Sequence, residues 1–270
     1  MRILVTGKNS QLGRSIQKIV NTDTKIYNNQ NSNEFIFVGR EDLDLSSEIN
    51  ISHYFINNKF DIIINCAAYT AVDKADEEAE LATQVNHLAV KQLASIANKQ
   101  QARLIHISTD YVFDGDSDEP YIEKDIPNPI NFYSRTKLSG EKALQSEMPM
   151  NALVIRTSWL YSEYGNNFVK TMLKLGKERD ELNVVSDQIG SPTYAADLAD
   201  AILEIIKHKE FREENQVTQI YHYSNEGRIS WYEFAKEIFK IEKVDCEVNP
   251  ITTQQYPTPA KRPRNTLMNK

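Results

Sequence analysis

The sequence predicts an α/β protein with a doubly wound parallel sheet and a smaller C-terminal lobe. Three observations carry that expectation. Five short runs rich in Ile and Val recur in the first 160 residues: RILVT (2–6), FIFVG (35–39), DIIINCAA (61–68), RLIHIS (103–108) and ALVIRT (152–157). Amphipathic segments separate them: QLGRSIQKIV (11–20), DKADEEAELATQVNHLAVKQLASIANKQ (73–100) and FYSRTKLSGEKALQSE (132–147). A turn bearing two glycines, TGKNSQLG (6–13), joins the first run to the first amphipathic segment.

Each element follows from its pattern. Runs that are apolar at successive positions are apolar on both faces, as strands are when helices cover both sides of a sheet. Alternation with helices makes the strands parallel. Right-handed crossovers bring their C-terminal ends to one side, where such sheets bind ligands. After about residue 160 the alternation loosens. DQIGSPTYAADLA (187–199) and YHYSNEGRISWYEFAKEIF (221–239) mix turns with short helices, and ITTQQYPTPAKRPRNT (251–266) is proline-rich and basic. The expected organisation is a nucleotide-binding domain over residues 1–160 and a substrate lobe over 161–270, interleaved with the first.

The 270 residues are 40% hydrophobic and 26% charged, an ordinary globular balance, with a net charge of −7. That charge argues against nucleic acid or an anionic membrane as the main partner, and leaves room for an anionic small molecule held by a local basic site. Cys66 and Cys246 offer neither a disulfide framework nor zinc spacing, and no metal site is expected. The N-terminus lacks a secretory pattern, and no run approaches the roughly 20 apolar residues of a membrane span, so a cytoplasmic protein is expected.

TGKNSQLG poses a specific question. A glycine-rich turn between a first strand and a helix lets backbone N–H groups approach a pyrophosphate, and the helix N-terminus adds favourable partial charge. Gly7 and Gly13 are present, but Ser10 stands where the middle glycine is usual. Its Cβ costs closeness, and more so if φ is positive, whereas its hydroxyl can donate to a phosphate oxygen. A plain turn with two glycine breakers gives the same pattern. FVGREDLDLSS (37–47) ends the second run. An acidic residue there meets a ribose 2′-OH, and an arginine accommodates a 2′-phosphate. Arg40 precedes Glu41, which favours NADP. Asp44 is placed to reach an adenine amino group or to cap the following helix. Ala67 and Ala68, after the third run, are small enough for a cofactor to lie across the strand ends, or simply for tight packing.

STDYVFDG (108–115) follows the fourth run, and YSRTK (133–137) opens the next helix. Tyr133 and Lys137, four residues apart, share a helix face. A lysine ammonium beside a phenol lowers its pKa towards neutral, making it a general acid for a carbonyl that receives a hydride. Thr109, at the strand end, is placed to hydrogen-bond the same carbonyl oxygen. Alone, the Tyr–Lys spacing also arises in a solvated amphipathic helix. After a phosphate loop and a Ser/Thr strand end it is far more specific.

Together these residues resemble the extended short-chain dehydrogenase/reductase superfamily, with its Rossmann-like core, and more closely the dTDP-4-dehydrorhamnose reductase family. CAAYTAVDKAD (66–76), STDYVFDG, YSRTKLSGE (133–141), RTSWLY (156–161), DQIGSPTYAADLA, GRISWYEFAKEIF (227–239) and AKRPRNT (260–266) occur in the family's order along nearly the whole chain. The resemblance implies reduction of the 4-keto group of dTDP-4-dehydro-L-rhamnose to dTDP-L-rhamnose by NADPH, with NADH also accepted. It implies Tyr133 as proton donor, Lys137 as its tuner and a ligand of the nicotinamide ribose, and Thr109 as the group polarising the ketone. Gly7, Ser10, Gln11, Leu12 and Gly13 would hold the cofactor phosphates. Arg40, Asp44, Leu45, Ala67, Ala68 and Tyr69 would line the rest of its site. Thr70, Val72, Thr109, Tyr111 and Trp159 would meet the nucleotide sugar, with Arg262 and Asn265 near its diphosphate.

Departures and neighbours bound this reading. Sugar-nucleotide dehydratases of the superfamily carry an Asp–Glu pair after the threonine. Here Asp110 and Tyr111 follow, so elimination loses its base. Epimerases share the Tyr and Lys, and some relatives bind cofactor only to regulate a partner enzyme. The complete triad argues against the regulatory role, the ordered blocks rather than the triad argue against an epimerase, and a reductase or epimerase acting on another nucleotide sugar would keep the mechanism and change the product. Some relatives form a metal-linked dimer, but no residue cluster here places such a site, and both monomer and homodimer fit. The chain ends at NTLMNK, soon after the RP pair, where relatives commonly continue into a closing helix.

Overall fold

Strand β1 (Arg2–Thr6) runs through the glycine turn into helix α1 (Gln11–Thr22), followed by β2 (Glu34–Val38), α2 (Glu48–Ile56) and β3 (Ile62–Asn65). The computed structural model describes residues 1–22, 33–213 and 215–270. Helices α3 (Ala79–Thr83) and α4 (Ala89–Gln100), joined by a π-turn at Gln84–Leu88, lead to β4 (Arg103–Thr109), then α5 (Phe132–Glu147) and β5 (Ala152–Thr157). The second half contributes β6 (Leu160–Tyr161), α6 (Phe168–Glu178), β7 (Glu181–Val185), β8 (Ile189–Gly190), β9 (Thr193–Tyr194), α7 (Ala195–Ile205) and α8 (Lys209–Glu213). It continues with β10 (Gln219–Tyr223), β11 (Ile229–Ser230), α9 (Trp231–Glu242) and β12 (Glu247–Ile251).

Six strands form one sheet in the order β10-β5-β4-β3-β1-β2, every neighbouring pair parallel. The pleat sends alternate residues to opposite faces. Ile3, Val5, Ile62, Ile64, Ile105 and Ile155 pack with Leu12 and Ile16 of α1 and Leu198 and Ile202 of α7. Leu4, Ile63, Leu104 and Val154 pack with Ile51 of α2 and Val90 and Leu93 of α4. Both faces are covered, which is why the runs read as continuously apolar. A separate core, built on Leu182, Val184, Ala235 and Phe239, holds α6 and α9 on the two-stranded β7–β12 sheet.

Two expectations shift. The third run was expected to extend through residue 68, but β3 stops at Asn65. Asn65 Oδ1 accepts from Thr6 Oγ1 at 2.6 Å and from the Ala67 N–H at 3.3 Å, which turns the chain outwards. The amphipathic segment at 73–100 begins as a 3-10 turn (Val72–Lys74), and its main helix starts at Ala79. The sheet's outer strand β10 and helix α7 both come from beyond residue 160.

Candidate active site

The ends of β1, β3, β4 and β5 open into a cleft, and the phosphate-type turn forms its floor. Gly7 has φ +69°, a conformation that costs glycine little. A Cβ there would come 2.9 Å from the Ala67 nitrogen. A Cβ on Gly13 would collide with the Gly7 carbonyl, so both glycines are needed for α1 to sit tightly on the strand ends. Ser10 is not among the residues with positive φ, so the strain that its Cβ threatened does not arise. Its Oγ accepts the Gly13 N–H at 3.0 Å and caps α1, leaving the hydroxyl proton free to donate. Glycine clearance, a helix N-terminus and a free hydroxyl donor together fit a dinucleotide pyrophosphate.

Two cavities continue from this turn and share Asn9, Ser10, Cys66, Ala68 and Thr70. The outer one, about 390 Å³, takes in Gly7, Arg40, Asp44 and Leu45 on one side and Ala67 and Tyr69 on the other. Lys8 pairs with both Glu41 and Asp42, each at 2.7 Å, which offsets part of the negative charge after β2. Arg40 stays largely exposed and leans on Asp44 at 3.4 Å. The Asp44 carboxylate accepts from the Ser46 N–H at 2.9 Å and the Ser46 hydroxyl at 2.6 Å. Ser47, not Asp44, caps α2.

The inner cavity, about 440 Å³, brings Thr109, Tyr133 and Lys137 together with Thr70, Val72, Tyr111 and Trp159. Gln11 and Leu12 also reach it from α1. Gln11 donates to the Leu160 carbonyl at 3.1 Å and accepts from Asn167 at 2.9 Å, fastening the turn to the second half of the chain. Asn131 caps α5 in a capping box with Ser134, which fixes the turn carrying Tyr133.

The electrostatics differ from the expected phenol–ammonium pair. Burial pushes the Tyr133 phenol up to about 12, opposed by a hydrogen bond with Thr109. Burial brings the Lys137 ammonium down to about 8, opposed by Glu141 one turn on. Lys137 Nζ donates to the Ile107 carbonyl at 2.7 Å. Glu141 in turn is held by Arg156 at 2.7 Å and by Ser108 at 2.5 Å, all three buried. Burial also raises Asp110 to about 7, with hydrogen bonds from Thr266 and Thr109 opposing it. The Cys66 thiol rises to about 12 for the same reason, which keeps it from acting as a thiolate.

Three expected site residues lie off the cavity walls: Gly13, packed under the Gly7 carbonyl, and two from the basic tail. The Arg262 guanidinium grips Asp73 at 2.8 and 2.6 Å and donates again to the Ala260 carbonyl. The Asn265 side chain donates to the Ser117 carbonyl at 2.8 Å and accepts the Leu267 N–H at 3.2 Å, so its amide is taken up locally. Trp231 lines the inner cavity although no sequence motif marked it for that role. The Ser230 and Glu233 spacing of a capping box locates it at a helix start, but only the fold brings that start to the cleft.

A family model described as the RmlD substrate binding domain matches residues 1–270. The chain is 42% identical over 274 residues to the dTDP-4-dehydrorhamnose reductase of Aggregatibacter actinomycetemcomitans, covering 99% of this chain and 90% of that relative. The chain belongs to the dTDP-4-dehydrorhamnose reductase family. The Salmonella typhimurium reductase is 40% identical, with 100% of this chain and 89% of the relative covered. A solved family member from Clostridium acetobutylicum superposes with a TM-score of 0.90 at 43% identity, covering 100% of this chain and 90% of that one. Another, from Bacillus anthracis in complex with NADP, gives 0.89 at 39% identity over 99% and 90%. A Thermus thermophilus UDP-glucose 4-epimerase, at 17% identity and a TM-score of 0.78, shares the reductase family's fold.

Proposed function

We propose that the chain reduces the 4-keto group of dTDP-4-dehydro-L-rhamnose to dTDP-L-rhamnose, with NADPH as its cofactor. The observation that carries this is one cavity holding Thr109, Tyr133 and Lys137 beside a turn fitted to a pyrophosphate. The relatives' names supply the substrate, and the NADP complex of the Bacillus anthracis protein supports the cofactor. Arg40 is left exposed while Lys8 occupies Glu41 and Asp42, an arrangement suited to a 2′-phosphate.

The bound cofactor supplies the hydride. The chain's own residues manage the proton. Burial keeps the Tyr133 phenol protonated across the physiological range, so the proton is in place beside the ketone oxygen, and its release depends on a neighbouring charge that offsets the burial. The Thr109 hydroxyl, which donates to Asp110 at 3.0 Å, turns its one proton to that same oxygen and orients it. The Lys137 ammonium, one turn from Tyr133, stabilises the phenolate left behind. Strand ends and α5 exclude water from the three, which strengthens each of these interactions.

The test offers purified protein dTDP-4-dehydro-L-rhamnose and NADPH and follows loss of the reduced-nicotinamide absorbance. Wild type that binds NADPH without turning over would overturn the reading. Tyr133→Phe should cut turnover by about 10²- to 10⁴-fold with NADPH affinity unchanged. Near-normal turnover in that variant would remove Tyr133 as the proton donor.

A further inference from the structure

Trp159 and Trp231 are the only two tryptophans in the chain. They come from opposite ends of its second half and stack with ring centroids 3.5 Å apart and planes 10° apart. Both line the inner cavity. The arrangement has a clear structural origin. Strand β11 pairs antiparallel with β8, placing Ile229 against Gly190, so Trp231 emerges beside that glycine at the start of α9. A Cβ on Gly190 would lie 2.8 Å from Cε2 and 3.0 Å from Nε1 of Trp159, so the indole rests directly on the glycine. Phe168 of α6 backs Trp231 at 4.6 Å.

The Trp159 backbone is strained. Its φ is +46°, in the left-handed region that a bulky residue rarely occupies. Such strain persists only where the surroundings enforce it, and it collects at functional sites. Here the enforcement is visible. Ser158 Oγ donates to the Ser191 carbonyl at 2.6 Å, the Trp159 carbonyl accepts the Thr193 N–H at 3.3 Å, and the ring is held by Gly190 and Trp231. The Trp159 indole N–H donates to no described residue.

We propose that Trp231 is a positioning residue for substrate binding. It acts through Trp159, which it clamps against Gly190 as a fixed wall of the cavity, with the indole N–H held ready for the sugar nucleotide. A fixed aromatic wall binds a sugar ring without first losing side-chain freedom, so the clamp lowers the cost of ordering the site. This rests on the reading that the inner cavity takes the nucleotide sugar.

The experiment compares KM and kcat for dTDP-4-dehydro-L-rhamnose with the dissociation constant for NADPH. Trp231→Leu should raise KM about tenfold while NADPH affinity stays within about twofold, and Trp231→Phe, which keeps a stacking ring, should return KM to within about threefold of wild type. Gly190→Ala leaves Trp231 in place but pushes Trp159 aside, and should raise KM alike; it carries the comparison if the leucine variant does not fold. A wild-type KM in either Trp231→Leu or Gly190→Ala overturns the clamp. Failure of wild type to reduce the ketosugar counts against the substrate reading instead. Near-ultraviolet circular dichroism then decides the clamp separately, since every tryptophan signal comes from this stack. The tryptophan signal of the ligand-free wild type should fall in Gly190→Ala, whose added methyl displaces Trp159 from Trp231. An unchanged signal in Gly190→Ala overturns it.

Discussion

Lys137 is a buried ammonium whose nearest partner is a carbonyl rather than a phenol. The spacing of Tyr133 and Lys137 is legible in the sequence, and so is their shared helix face. The depth of their burial is not, because it depends on β4, β5 and the second half of the chain closing over them. His106 and Glu141 interact electrostatically with Lys137, and Glu141 is already bound by Arg156. The ammonium is therefore retained below about 8 and lost as the pH rises through that value. As the group that stabilises the phenolate, it should make kcat/KM fall as pH rises through about 8. A pH profile of NADPH-dependent reduction checks this, and Lys137→Met should abolish that basic limb. Stability runs the opposite way. Between about 8 and the ordinary lysine value of 10.5 the unfolded chain holds the proton and the native one does not, so Lys137 makes the fold more stable as pH rises across that window. Ser10 shows the reverse kind of legibility. The sequence raises the question of its Cβ, and only the backbone conformation answers it.

Helix α5 spans Phe132–Glu147, the same residues that its pattern predicts, because both of its starting signals are local. The Asn131 carbonyl-type oxygen takes the Ser134 N–H at 2.9 Å, and Ser134 Oγ accepts the Asn131 N–H at 3.3 Å. Asn131 Nδ2 also donates to the Lys261 carbonyl, so the cap ties the basic tail to the helix that carries Tyr133. Asn131→Ala should cost about 1 kcal/mol of stability, seen as a lower Tm, and should lower kcat more than it changes NADPH affinity. An unchanged Tm would show that the cap contributes nothing. Strand β10 is the contrasting case. Its sequence, QIYHY, is neither a continuous apolar run nor a strict alternation, and its partner β5 lies more than sixty residues away, so nothing local marks it as part of the main sheet. The same long range hides Trp231, whose neighbours arrive through β8 and β11.

Across the whole molecule, one buried ion pair joins three elements of the site. Arg156 of β5 binds Glu141 of α5, Ser108 of β4 adds a hydrogen bond, and the Phe113 ring lies 5.1 Å from the guanidinium carbon. Arg156→Met leaves Glu141 charged and buried without its partner, and should cost about 3–5 kcal/mol in urea denaturation. Adding Glu141→Met should recover most of that loss, because the uncompensated charge is then gone. Equal stability of the single and double variants would show that the pair is not coupled. The fold class, the glycine turn and the Thr–Tyr–Lys set are all foreshadowed by short stretches of sequence. The closure of the cleft is not, since it depends on contacts between distant segments. The position of β10 at the edge of the sheet has a consequence for biogenesis. A ribosome makes residues 1–157 first, and until residues 219–223 emerge the backbone of β5, with Leu153 and Ile155 beside it, is an unpaired apolar strand edge, the kind of surface that recruits chaperones and seeds aggregation.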